Sequence, residues 1–118
     1  MPSVPLTFET EARLLALLAH PIRLQIVELL RHGEVCVCDM QAALSQRQAY
    51  VSQHLMALRA AGIVTCRKDG LRVYYRLSDP RILCVLDQVH AVSQGKYPGH
   101  AGGEIDDSRQ ASQFRRSR

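Results

Sequence analysis

Close to residue 62 the hydrophobic pattern changes its period, and that change limits the architectures open to this chain. Before it, apolar residues recur at helical spacing. Ile22, Ile26, Leu29 and Leu30 stand at i, i+4, i+7 and i+8, and Val51, Leu55 and Leu58 later share one face. After it, Ile63-Val64-Thr65-Cys66-Arg67 and Arg72-Val73-Tyr74-Tyr75-Arg76-Leu77 are rich in β-branched and aromatic residues. These runs flank Lys68-Asp69-Gly70-Leu71, and Asp-Gly in that setting is a hairpin signal. A two-stranded hairpin with a basic rim therefore follows a set of helices.

The helices are bounded by their own punctuation. Residues 8–19 read as a first helix, with Leu14, Leu15, Leu17 and Leu18 forming a broad apolar face. Pro21 suits the first turn of a second helix, which Gly33 ends. Asp39 is a candidate N-cap for a short helix over Met40 to Leu44, because its carboxylate can accept the free N–H groups of a first turn. A polar turn over 45–47 leads to a helix from Gln48 to Ala61, stopped by Gly62. Asp79 and Pro80 open a last helix whose apolar stripe is Ile82, Leu83, Leu86, Val89 and Val92. The expected class is mainly α with a small β-hairpin, in the order α-α-α-α-β-β-α. Residues 1–94 form one domain. Residues 95–118, rich in Gly, Ser, Asp and Arg, are expected to be a flexible tail.

Composition sets the compartment and the core. With no Trp and two Phe among 118 residues, the core must be mostly Leu, Ile, Val and Ala. No basic segment leads into a long apolar run, and no stretch approaches the ~20 apolar residues that span a bilayer. The expected location is the cytoplasm, with no membrane partner. Thiols stay reduced there, so Cys36, Cys38, Cys66 and Cys84 read as ligands or core residues rather than disulfides. No Gly-rich phosphate loop and no nucleophile with a paired base is present, so the chain is not expected to be an enzyme. The net charge of +4 permits nucleic-acid binding, although Arg115, Arg116 and Arg118 supply part of it from the last four residues.

A short helix, a tight turn and a helix with a polar outer face make a helix-turn-helix, and the basic hairpin behind it makes a wing. Arg47, Gln48, Tyr50, Ser52 and Gln53 cluster at the N-terminal end of the longer helix, the end that meets base edges in the major groove of double-stranded DNA. Lys68 and Arg72, with Arg67 and Arg76, are placed to meet phosphates. Cys36-Val37-Cys38 offers two thiols one residue apart, able to converge on one soft ion. The following helix N-terminus favours their thiolate form.

These segments resemble the ArsR/SmtB family of metalloregulatory repressors. Ala19-His20-Pro21-Ile22-Arg23-Leu24 is similar to the family's A-x-P-x-R-L opening. Val51-Ser52-Gln53-His54-Leu55 and Leu58-Arg59-Ala60-Ala61-Gly62-Ile63-Val64 are similar to its V-S-x-H-L and L-R-x-A-G-L-V signature. The resemblance covers roughly residues 12 to 92. It implies a homodimer, joined through the first and last helices, that binds a palindromic operator until an inducer releases it. Ala49 and Tyr50 depart from the Pro and Thr common at the DNA face, which leaves the operator sequence open.

The segment Glu34-Val35-Cys36-Val37-Cys38-Asp39-Met40 resembles the E-L-C-V-C-D-L stretch of the As(III)- and Sb(III)-responsive members. By that resemblance Cys36 and Cys38 would bind the metalloid. A third cysteine common in that motif is replaced by Gln41, so the third ligand is open between Cys66, Cys84, a solvent hydroxide and a small cellular thiol. Cadmium and lead sensors add cysteines from an N-terminal extension, and residues 1–12 contain none. Zinc and nickel sensors show D-x-H on the last helix, where this chain has Asp87 and His90, spaced D-x-x-H. A Cd/Pb-responsive or a thiol-based redox or persulfide-responsive repressor of the same fold is the alternative.

Overall fold

The computed structural model describes residues 7–95. Helix α1 (Glu9–Leu18) leads into α2 (Pro21–Leu29). A two-residue strand β1 (Val35–Cys36) precedes α3 (Val37–Leu44) and α4 (Gln48–Ala60). The hairpin strands are β2 (Val64–Asp69) and β3 (Arg72–Leu77), and α5 (Arg81–Ser93) follows. Among the described residues no helix is long and apolar enough to cross a membrane.

Local chemistry explains most boundaries. His20 is extended (φ −150°, ψ 128°), and its Nδ1 accepts the Ile22 N–H at 3.1 Å, capping α2 with Pro21 in its first turn. Gly62 closes α4 at φ 79°, with Gly62 N–H to Arg59 O and Ile63 N–H to Leu58 O, both 2.9 Å. That pair of bonds satisfies the last carbonyls and turns the chain toward β2. The hairpin loop is Gly70-Leu71, since Asp69 still pairs with Arg72, and Gly70 takes φ 64° as a tight turn requires. Asp79 Oδ1 accepts the Arg81 N–H at 2.9 Å where α5 begins.

Two sequence expectations are corrected at one place. The hairpin is not alone: Val35 pairs with Tyr75 and Cys36 with Tyr74, giving a three-stranded antiparallel sheet in the order β1-β3-β2. The short helix also begins at Val37 rather than Met40, with Cys36 (φ −71°, ψ 145°) as its N-cap residue. Asp39 thus lies in the first turn and not at the cap. The cause is the pairing with β3, which holds Cys36 extended and brings the helix start forward to the next residue.

The core gathers the expected stripes. Ile26 and Val27 of α2, Met40 of α3, Val51, Leu55 and Leu58 of α4 and Val64 of β2 are all below 2% exposed. Each such side chain contributes roughly 1.5–3 kcal/mol by leaving water. Tyr75 and Leu77 bury the β3 side of the same core.

The chain divides into a unit of residues 1–83 and a second of 84–118. The first holds α1 to α4 and the sheet. In the second, the α5 residues Val85, Val89 and Val92 are exposed. Of the expected tail, 95–118, all but Gly95 lies outside the described residues, as does His100.

Candidate functional site

The turn between α3 and α4 is three residues long. Ser45 is left-handed (φ 53°), and Arg47 is extended (ψ 146°) as the N-cap residue of α4. The apolar face of α4 is inward, which leaves Gln48, Ala49, Tyr50 and Gln53 exposed and Ser52 half-buried. Tyr50 is not loose, because its ring meets His54 edge-on at 4.7 Å.

His54 was read from sequence only as part of the fold signature, yet it is the buried polar residue of this core, at 7% exposure. Arg23 Nε donates to its Nδ1 at 3.1 Å, and Arg23 Nη1 donates to Leu17 O at 2.9 Å. The His20 ring lies 4.3 Å away. Burial, then His20 and Arg23, pushes His54 below the ordinary histidine range, so the ring is neutral. One arginine therefore ties the end of α1, through α2, to the middle of α4.

Cys36 and Cys38 sit where the sheet meets α3. Their Sγ atoms are 2.7 Å apart; Cys36 is buried and Cys38 exposed. The Cys38 thiol hydrogen bond lowers the pKa of Cys36, and the backbone N–H groups of Cys38 and Asp39 add to this. The same hydrogen bond, with burial and the Cys36 charge, pushes Cys38 up. The first proton thus leaves Cys36. Cys36 belongs to β1 and Cys38 to the first turn of α3, so the pair bridges two elements. Two sulfurs on one ion at metal–sulfur distances of about 2.3 Å stand roughly 3.5–4 Å apart. Holding both sulfurs on one ion would open the pair by about 1 Å and press the start of α3 away from β1.

A cleft of about 260 Å³ opens at this pair. Gln41 of α3, Gln48 and Ser52 of α4 and Arg72 of β3 share it with Cys36 and Cys38. Of the residues singled out by sequence, the structure brings these five together: Cys36, Cys38, Gln48, Ser52 and Arg72. Arg47, Tyr50, Gln53 and Lys68 do not line the cleft, although all four are exposed. Leu71, Val73 and Tyr75 also line it and were missed, since their approach depends on the β1–β3 pairing. Arg67 pairs with Glu34 at 2.7 Å and with Asp69 at 3.8 Å, and lies over the Tyr74 ring at 4.7 Å.

Among the described residues no group of three or more His, Cys, Asp or Glu could hold a metal ion. Cys66 lies on β2, with β3 between it and β1, and Cys84 lies on α5 in the second unit. The cleft itself offers two sulfurs, the donor type a soft ion would prefer.

Residues 20–65 match the profile of the arsR family of bacterial regulatory proteins. The biofilm growth-associated repressor of Agrobacterium fabrum is 38% identical over 81 residues, covering 69% of each chain. The chain belongs to the ArsR family. The arsenical resistance operon repressor of Escherichia coli K12 is 46% identical over 74 residues, covering 62% of this chain and 63% of that one. Among solved structures, the homodimeric winged helix-turn-helix DNA-binding domain Mb0332 of Mycobacterium bovis superposes with a TM-score of 0.66 at 29% identity. That match covers 85% of this chain and 96% of the other. The ArsR family consists of DNA-binding transcriptional regulators, not enzymes, and this chain is a repressor of the ArsR/SmtB type with the winged helix-turn-helix fold.

Proposed function

We propose that this ArsR-family repressor binds operator DNA as a homodimer and is released when As(III) or Sb(III) bridges Cys36 and Cys38. The observation that carries the reading is the shared cleft. The thiol pair, two residues of the exposed α4 N-terminal half and a wing arginine meet in one space. An ion drawn between β1 and α3 acts directly on the element that precedes the DNA-facing helix.

On the DNA side, Arg47, Gln48, Tyr50, Ser52 and Gln53 would read base edges, while Lys68 and Arg72 would meet phosphates. Dimerisation is supported by the homodimeric Mb0332 neighbour. It is also supported by the uncovered apolar side chains of Leu15 on α1 and Val85, Val89 and Val92 on α5. Similarity to the arsenical resistance operon repressor of E. coli supports a metalloid inducer over other soft ions. Coupling between inducer and operator is expected at about 1–3 kcal/mol, and operator DNA would weaken ion binding by the same factor.

The test is fluorescence anisotropy of labelled DNA from the protein's own promoter, titrated with reduced protein and then with As(III), Sb(III), Cd(II) or Zn(II). Release by As(III) or Sb(III) that Cys36→Ser abolishes is the expected result. Tight binding that no ion reverses would retain the repressor and remove the metalloid, pointing to oxidants or persulfides instead.

A further inference from the structure

The Cys36–Cys38 cleft is larger than an ion needs and incomplete as an ion site. Trivalent arsenic or antimony takes three substituents, and the pair supplies two sulfurs. Gln41, the α3 residue beyond Cys38 that also lines the cleft, ends in an amide that cannot act as a thiolate. The space beside the pair, about 260 Å³, far exceeds the ~10–15 Å³ that admits one water, and lies near the lower edge of small-ligand pockets. Its lining carries one charged side chain that is not a thiol, Arg72. Arg72 engages the Tyr74 hydroxyl and takes no carboxylate partner among the described residues. Gln41, Gln48 and Ser52 add hydrogen-bonding groups around the same space.

From this geometry we infer that the cleft beside Cys36 and Cys38 binds a small thiol-bearing carboxylate, whose sulfur completes the metalloid site and whose carboxylate pairs with Arg72. The inference rests on the metalloid reading above and adds a co-ligand to it. The exchange balances without redox chemistry. Arsenious acid, two protein thiols and one small-molecule thiol give an As(III) centre with three sulfur substituents and three waters. Each thiol proton leaves with one hydroxide of the arsenious acid, and arsenic stays trivalent. The bound thiol would then stand against Gln48 and Ser52, so the inducer complex occupies space that DNA-reading side chains need.

Native mass spectrometry of the full chain, reduced with a phosphine, reads this directly. Arsenite, and antimonite in a parallel series, is added alone and with N-acetylcysteine (carboxylate), mercaptoethanol (neutral) or cysteamine (cationic). The expected adduct is one arsenic and one N-acetylcysteine per chain. Uptake of the carboxylate thiol should exceed that of the other two by about ten-fold, the size of one charge-assisted hydrogen bond. Arg72→Gln should flatten this ranking while arsenic stays bound. Gln41→Cys, which offers a third protein thiol, should remove the small thiol from the adduct. An arsenic adduct free of small thiol at millimolar thiol, or equal uptake of cysteamine, overturns the co-ligand and leaves the metalloid site standing. Absence of any arsenite or antimonite adduct, with or without thiol, overturns both.

Discussion

Arg23 Nε donates to His54 Nδ1 at 3.1 Å, joining residues 31 apart in sequence. The bond fixes the imidazole as the tautomer with its proton on Nε2, and that buried nitrogen has no partner in the structure. Because burial and neighbouring charge lower the pKa of His54, the unfolded chain binds a proton more readily than the folded one. Stability is therefore full above the unfolded value of about 6.5 and falls as pH drops below it. Urea midpoints at pH 8 and pH 5.5 should show that loss in the wild type and much less of it in His54→Gln. The steepest contribution of this group is about 1.4 kcal/mol per pH unit. Equal pH slopes in both proteins would show that His54 protonates freely in the fold.

Removing Leu58 tests the core that supports α4. It is fully buried, and Leu58→Ala should cost about 2–5 kcal/mol in chemical unfolding. A loss below 1 kcal/mol would mean that α4 is held by something other than this packing.

The thiols should be unequal and mutually dependent. Alkylation followed across pH should titrate Cys36 below and Cys38 above an ordinary cysteine. In Cys38→Ala, Cys36 loses its largest stabilising hydrogen bond and should titrate higher than in the wild type. An unchanged Cys36 titration would assign its acidity to the backbone N–H groups alone.

Glu34 pairs with Arg67 at an N–O distance of 2.7 Å. Glu34→Gln should remove the shorter of the two ion pairs of Arg67, the other being Asp69 at 3.8 Å, and steepen the slope of log affinity against log salt for DNA by up to about 0.9, one phosphate contact. Arg72→Ala should change the slope by about the same amount in the opposite direction. The effect of Glu34→Gln on folding should be small, since exposed ion pairs contribute about 0–1 kcal/mol. A salt slope identical to wild type would show that Arg67 never reaches the DNA.

The helices and the hairpin were legible because each carries a repeating signal. Val51, Leu55 and Leu58 mark one face of α4, Pro21 and Gly62 mark ends, and Asp69-Gly70 marks the turn. What escaped was β1. Two residues carry no alternation to read, and their pairing partner lies some forty positions away on β3. The start of α3 escaped with it, because Asp39 has the chemistry of a cap while the sheet, not the cap, decides where Cys36 leaves off. The cysteine pair and the polar residues of α4 were visible singly. Their meeting in one cleft with Arg72 was not, since it depends on how the wing folds back against α3.

The pairing of Val35 with Tyr75 and Cys36 with Tyr74 is a ladder of two rungs. A strand so short holds its place by little more than the two residues it spends, while Met40, Leu55 and Leu58 anchor the helices independently of it. In the proposed repressor one sensor thiol, Cys36, thus sits on this two-rung clip and the other, Cys38, on the first turn of α3, so an ion that joins them loads the clip directly. Such a part would suit a reusable trigger, since its two rungs are far fewer than the six that join β2 to β3 and keep the wing in place.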